Sequence, residues 1–375
     1  MDVMHETGRT ARPGLAPVAI NGRFLVQPVT GVQRYAGEIL RSLDRLATRG
    51  EWPAAEVLVP ALPDEMPALD ALRLRKVGRL RGHAWEQVEL PRAARGRVLL
   101  NLGNTGPIAA GRRQVVVVHD AGVFDTPESY SWRFRQWYRA HHWLITRSGA
   151  RIVTVSQFSR QRLSKWLGIP GDRILVVGEG ADHILNVLAD DSVLNRNELR
   201  PRQYALVVGN RVAHKGLGSL RGIAGMLDAR GMTLAIAGTV DPAVFRSGVD
   251  GVEFPAMRLG RVSDGELRAL LENAACLLFP SRYEGFGLPP VEALACGCPV
   301  IAAGGSAVEE ICGAASLVYD PAVPGAVEST LERLLNEVGL ADDLRRRGGE
   351  LAARLTWDVA ARDLTKIIDT VAAVV

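Results

Sequence analysis

The chain alternates between short apolar runs and longer segments in which apolar residues return every three or four positions. The runs at 18–22, 24–26, 98–101, 115–120, 151–156, 174–177, 204–209, 233–238, 252–255, 275–280, 299–303 and 317–321 read as strands. The uninterrupted valines of 115–118 suit a parallel strand covered on both faces. Helical spacing marks 35–46, 130–147, 156–166, 264–273, 289–296 and 357–375. This alternation predicts an α/β chain of two Rossmann-like, doubly wound domains facing a cleft. The polar stretch 189–202 reads as a linker. It divides a first domain, 1–188, from a second, 203–356, with a closing helix at 357–375 and a frayed tail over the first 17 residues.

One strand-to-helix junction carries the densest chemistry: Ser281-Arg282-Tyr283-Glu284-Gly285-Phe286-Gly287-Leu288-Pro289-Pro290-Val291-Glu292. Prolines suit a helix first turn, where a missing N–H costs nothing. Gly297 and Pro299 end that helix. Glu284 and two glycines therefore sit on the loop, and Glu292 close to the first helical turn. Glycines open backbone N–H groups to a ligand, and a helix N-terminus favours an anion. Carboxylates beside such an anion would repel phosphate, but they suit the hydroxyls of sugars. With seven residues between them, Glu284 and Glu292 match two polyol groups flanking a diphosphate. The spacing equally fits a Gly/Pro-rich surface loop before a capped helix.

Other candidates stand at strand ends, where open α/β sheets bind ligands. His119 closes the valine run, with Asp120 beside it to orient the ring; a structural role fits the same position. Arg211 and Lys215 follow the run at 204–209 and suit a departing diphosphate, or else an exposed turn. Gly31 and Arg34 lie between the first run and its helix. Basic residues recur from Arg73 to Arg97, and aromatics interleave with arginines over 130–147. That second segment suits either a membrane surface or the core.

Charge sharpens the picture. The net charge is +4, yet residues 1–185 hold 26 Lys+Arg against 17 Asp+Glu (+9), and residues 186–375 hold 19 against 24 (−5). A basic first half attracts an anionic membrane leaflet or a lipid-diphosphate acceptor. Nucleic acid ranks last as a partner, because no nucleic-acid motif accompanies the charge. No run reaches the roughly 18 apolar residues of a membrane helix, and the start lacks the apolar core of a signal peptide. The expected location is cytoplasmic. Cys276, Cys296, Cys298 and Cys312 lack a His cluster and are expected to pack a reduced core. Gly285-x-Gly287 followed by Pro290 breaks the dinucleotide fingerprint, which excludes a Rossmann oxidoreductase.

The junction, continued through Ala295-Cys296-Gly297-Cys298-Pro299-Val300-Ile301-Ala302, resembles the donor-binding signature of the retaining nucleotide-sugar glycosyltransferases of family 4. The likeness extends over nearly the whole chain and weakens before Val115. It implies the GT-B fold, with an acceptor-binding first domain, a donor-binding second domain and a last helix crossing back to the first. It also implies that Glu284 contacts the donor sugar and Glu292 the nucleotide ribose. Backbone N–H groups of Gly285, Phe286, Gly287 and Leu288 would serve sugar and phosphate. His119 would stand near the donor sugar, Lys215 and Arg211 at the diphosphate, and Gly31 and Arg34 at the acceptor. One glycine, where the family carries two, precedes the helix with Arg34. Trp85-Glu86-Gln87 with Leu90-Pro91 resembles a segment of polysaccharide-assembly members, and Ser156-Gln157-Phe158-Ser159 also follows the family pattern. The implied reaction moves a hexose, with GDP-mannose the favoured donor, to a glycan or lipid-diphosphate-linked acceptor. Anomeric configuration is kept, no metal or other cofactor is expected, and the enzyme would work in cell-surface polysaccharide assembly at the inner face of the membrane. A nucleotide-sugar epimerase of the same fold, or a non-catalytic sugar-nucleotide-binding protein, is the alternative.

Overall fold

The computed structural model describes residues 16–209, 221–238 and 255–374. By contact the chain divides into two compact units. One comprises Met1–Val118, Leu144–Val153 and Ala361–Val375, the other His119–Trp143 and Thr154–Ala360.

The first unit holds Val18–Asn21 (β1), Glu56–Val59 (β2), Arg73–Lys76 (β3), Val98–Asn101 (β4), Gln114–Val117 (β5) and Arg151–Thr154 (β6). Their order is β3-β2-β1-β4-β5-β6, and each neighbouring pair is parallel. β1, β4 and β5 are buried along their whole length, as runs covered on both faces should be. β3 is the edge strand, and its sequence Arg-Leu-Arg-Lys keeps that edge charged. The run 24–26 does not extend β1. Asn21 accepts a hydrogen bond from Arg23 N at 3.2 Å and bends the chain into a single 3-10 turn, Gly22–Val26. The first helix is longer than its apolar spacing suggested, Gly31–Thr48. On its inner face the carboxylate of Asp44 accepts from the backbone N–H groups of Asp70, Ala71 and Leu72 at 2.7–2.9 Å, which sets the entry to β3.

The basic run from Arg73 to Arg97 is partly neutralised within the fold, since Arg75 and Arg97 both pair with Glu56. Inside it, Trp85 is fully buried and donates Nε1–H to Val77 O at 2.8 Å. Gln87 holds Gly106 O and Ile108 N at 2.9 and 3.0 Å. The Trp85-Glu86-Gln87 segment is therefore interior scaffolding.

The strand order reverses between β1 and β4, the switch point at which doubly wound sheets open a crevice. There Asn21 Nδ2 donates to Glu86 Oε1 at 2.9 Å and to Asn101 Oδ1 at 3.0 Å. Glu86, 1% exposed, also meets Arg23 Nε at 3.2 Å, Thr105 Oγ1 at 3.0 Å and His83 Nδ1 at 3.2 Å. Burial alone would push this carboxyl up. The His83 hydrogen bond, the Arg23 charge and the Asn21 hydrogen bond outweigh it and leave the carboxyl below its usual range. A depressed carboxyl contributes stability that is present above the ordinary range and lost as pH falls through its folded value. Glu86→Ala should cost about 3–5 kcal/mol at neutral pH, because Arg23 is left buried without its counter-charge. Urea unfolding measures this, and the gap between wild type and variant should narrow on acidification; a neutral substitution would contradict the pairing.

The second unit holds Ile174–Val176 (β7) and a six-stranded sheet. Its strands are Tyr204–Val208 (β8), Thr233–Ala237 (β9), Met257–Gly260 (β10), Cys276–Phe279 (β11), Val300–Ala303 (β12) and Leu317–Tyr319 (β13). The order is β10-β9-β8-β11-β12-β13, again parallel and again reversed once, between β8 and β11. Ala205, Val207, Ile223, Leu227, Leu278, Ile301 and Leu331 are among the residues of its core. Of the strand expected at 252–255, positions 252–254 lie outside the described residues, and a strand is described at Met257–Gly260. The polar stretch 189–202 contains the short helix Ser192–Arg196, whose Arg196 pairs with Glu266 at 2.6 Å. All four cysteines are free thiols, and burial pushes those of Cys296, Cys298 and Cys312 up to about 12. Packing suits such neutral thiols; metal or redox chemistry does not.

Candidate active site

In the second unit the end of β11 and the start of β12's preceding helix frame the switch-point crevice. The chain leaves β11 through Pro280, makes the loop 281–287 and enters the helix Leu288–Ala295. Gly287 is the N-cap in a left-handed conformation, and Pro289 and Pro290 occupy the first turn. Tyr283 and Phe286 turn inward, and Glu284 is half-buried on the loop. Glu292 follows one turn into the helix and is 6% exposed.

Two neighbouring segments hold this loop. Ser156 caps the helix Gln157–Leu167 by accepting from Ser159 N at 3.0 Å, and donates its own hydroxyl to Gly285 O at 2.6 Å. Ser159 Oγ lies between two acceptors, His119 O at 2.9 Å and Gly285 O at 3.1 Å. The Ser156-Gln157-Phe158-Ser159 pattern is thus a clasp on the loop. Glu310 closes the same helix start, accepting from Gln157 N and Phe158 N at 2.8 and 2.7 Å. On the other side Tyr283 Oη accepts from Ala121 N at 3.0 Å. Gly285 has to be glycine: a Cβ there would stand 2.6 Å from His119 O and 2.9 Å from Asp120 Cβ.

The structure therefore brings His119, Glu284, Gly285, Phe286, Gly287, Leu288 and Glu292 into one unit. It also adds residues that the sequence did not single out. Glu179, on the turn after β7, is buried with an oxygen 3.4 Å from His119 Nδ1. Burial raises its carboxyl above the ordinary range, and the hydrogen bond from His119 only partly opposes this. His183 sits 2.8 Å from Glu292 Oε1. Tyr130 is half-buried near Asp120 and Glu284, and desolvation followed by those two charges pushes its phenol up, which keeps it protonated. Tyr130 therefore offers a neutral hydroxyl beside two carboxylates. The sequence signal for these residues is slight, since each is a single polar residue next to glycine or at a helix start, with its partner far along the chain. Arg211 and Lys215 lie outside the described residues. Among the described residues no group of three His, Cys, Asp or Glu side chains converges as a metal site.

Gly31 and Arg34 belong to the first unit. Gly31 opens the first helix and Arg34 lines a cleft of about 760 Å³. Arg23, Arg41, Arg81, Glu38 and Asp64 line it too.

Gly285→Ala should displace the loop from His119 and Ser156. Overpacking of this kind costs about 1–3 kcal/mol, and the larger loss is expected in ligand affinity because the neighbour at 2.6 Å is backbone that cannot rotate away. Thermal unfolding together with nucleotide titration checks it; unchanged binding would mean that the loop geometry does not matter to the site.

Comparison with known proteins agrees with this geometry. Residues 195–351 match the model for glycosyl transferases group 1, and residues 29–184 match that for glycosyltransferase family 4. The two together span more than four-fifths of the chain. The O-antigen chain mannosyltransferase B of Escherichia coli is 28% identical over 260 residues, 66% of this chain and 67% of that protein. The chain spans about two thirds or less of the length of such curated relatives. Among solved structures, WaaG, a glycosyltransferase involved in lipopolysaccharide biosynthesis, superposes with a TM-score of 0.67 at 16% identity, covering 94% of this chain and 99% of its own. HepE of Anabaena in complex with UDP-glucose gives 0.67 at 14%, covering 95% and 100%. At these identities the structures speak for the fold alone, two parallel α/β sheets of the GT-B kind. With both halves of the chain matched, and a glycine loop clasped between paired glutamates at the switch point, this protein belongs to the glycosyltransferases of family 4.

Proposed function

We propose that this chain is a retaining hexosyltransferase that takes its sugar from a nucleoside diphosphate sugar and works in cell-surface polysaccharide assembly. The observation that carries the reading is the pair Glu284 and Glu292, set on either side of a backbone-lined loop and a helix N-terminus. Glu284 accepts hydrogen bonds from hydroxyls of the donor sugar, with His119 close to the same sugar. Backbone N–H groups from Gly285 to Leu288, together with Lys215 and Arg211, take the diphosphate without a divalent metal. Glu292 takes the ribose. GDP-mannose is the favoured donor; the mannosyltransferase named above supports the sugar. HepE, solved with UDP-glucose, supports a nucleotide sugar of some kind.

The acceptor belongs to the arginine-lined cleft of the first unit, whose Arg23, Arg34, Arg41 and Arg81 suit a phosphate-bearing molecule. A lipid-diphosphate carrier fits that charge. No helix among the described residues is long and apolar enough to cross a membrane; in this reading the carrier is met at the cytoplasmic membrane surface. Trp132 and Trp143 are 65% and 50% exposed on the helix Trp132–Arg147, whose Arg133 and Arg139 are also exposed, and this face suits a lipid headgroup layer.

Incubation with a panel of nucleotide sugars, followed by nucleotide release and the anomeric NMR signal of the product, tests the reaction. GDP-mannose turned over with retention is expected. Lys215→Ala should lower kcat more than donor affinity, because charge grows on the diphosphate as the sugar leaves. Inversion, or no release with any donor, would overturn the assignment.

Liposome co-sedimentation tests the surface. Each basic residue near an anionic leaflet contributes on the order of 1 kcal/mol and is screened within a Debye length. Binding should therefore rise with anionic lipid and fall with salt. Indifference to lipid charge would refute this location.

A further inference from the structure

A buried line of hydrogen bonds ends on Glu292. Trp357 Nε1 lies 3.0 Å from His183 Nδ1, and His183 Nε2 lies 2.8 Å from Glu292 Oε1. The three residues are 1%, 6% and 6% exposed. An indole N–H can only donate, so Nδ1 of His183 has to be the accepting nitrogen. The ring proton then sits on Nε2 and is given to the carboxylate. The line has one polarity, from indole through imidazole to carboxylate.

The first two members are anchored. Trp357 N donates to Asp182 Oδ1 at 2.8 Å, and Ala181 N donates to Leu355 O at 2.8 Å, so the two segments that carry His183 and Trp357 are stitched side by side. Gly180 permits the approach, because a Cβ there would stand 2.3 Å from Trp357 N. At the other end, no group among the described residues donates to Glu292 Oε2. A carboxylate rotates freely about its last bond; a donor locked onto one oxygen removes that freedom and leaves the rest of its lone pairs in a set direction.

We propose that His183 is a positioning residue for the donor nucleotide: held in one tautomer by Trp357, it fixes the Glu292 carboxylate in the orientation that receives the two ribose hydroxyls. This rests on the assignment of Glu292 to the ribose, and it adds two residues that touch no substrate. The line would act on binding in ground state and transition state alike, so it should show in KM more than in kcat.

The test compares a nucleotide with its analogue lacking both ribose hydroxyls. Calorimetry would measure GDP and 2′,3′-dideoxy-GDP, with UDP and 2′,3′-dideoxy-UDP as a second pair, on wild type and on Glu292→Ala, His183→Ala, His183→Gln and Trp357→Phe. Glu292→Ala should weaken the ribonucleotide and leave the dideoxy analogue unchanged, which examines the ribose assignment by itself. His183→Ala should weaken the ribonucleotide about five- to tenfold, within the range of one ordinary hydrogen bond, and leave the analogue within about twofold. His183→Gln, which keeps an N–H donor, should recover part of the loss. Trp357→Phe keeps a ring in place and should give a smaller loss with the same selectivity.

Equal weakening of both nucleotides by His183→Ala and His183→Gln would make His183 merely structural and overturn the proposal. So would selectivity in Glu292→Ala with none in His183→Ala, His183→Gln or Trp357→Phe. If Glu292→Ala itself fails to discriminate, or neither nucleotide pair binds the wild type, the ribose assignment falls and the proposal with it. Should His183→Ala not fold, the Gln and Phe variants decide.

Discussion

The second unit turns on one close approach, the backbone of Gly285 against the carbonyl of His119, with no room for a side chain between them. Ser156 and Ser159 fasten the Gly285 carbonyl from one side and the His119 carbonyl from the same hydroxyl cluster. As a result, the segment at His119 and the loop at Gly285 are held together at their main-chain carbonyls. The loop thus gains its position from serine hydroxyls and a buried tyrosine.

Among the described residues three buried carboxylates, Glu86, Glu179 and Glu292, meet a histidine, each in different surroundings. Glu86 has Arg23, Asn21 and Thr105 in addition to His83, and its carboxyl is held low. Glu179 has His119 at a long 3.4 Å and feels the like charge of Glu292, so burial prevails and its carboxyl is held high. Glu292 is met by a histidine whose other nitrogen is already occupied by Trp357. The first is a structural ion pair at the switch point of one sheet. The other two belong to the second unit, where the like charge of Glu292 adds to the burial that raises the Glu179 carboxyl.

Much was legible along the chain. Valine and leucine runs with no polar interruption could only be strands covered on both faces, and they are. The proline pair and the glycines around Glu284 announced a strand, a loop and a helix start in that order, because a helix can spare proline's missing N–H only in its first turn. The same local logic found the capped helix after Ser263 and the long helix from Trp357. It failed at Phe24-Leu25-Val26, where apolar residues suggested a strand and the side chain of Asn21 made a turn, and at residues 192–196, where a polar stretch holds a short helix.

What the sequence determined by itself was therefore the alternation of strand and helix, the family, and the contiguous motif of the glycine loop. Each of these is written within a dozen or so neighbouring positions, where periodicity and backbone chemistry act. Tertiary structure alone decided which residues support them. Glu179 lies 60 residues from His119 in the chain, and His183 lies 109 from Glu292 and 174 from Trp357. Nothing local distinguishes a glutamate or a histidine that will be buried from one that will be solvated. The difference is made when the sheets assemble and remove water, leaving each polar group to find its partner among whatever the fold has brought near.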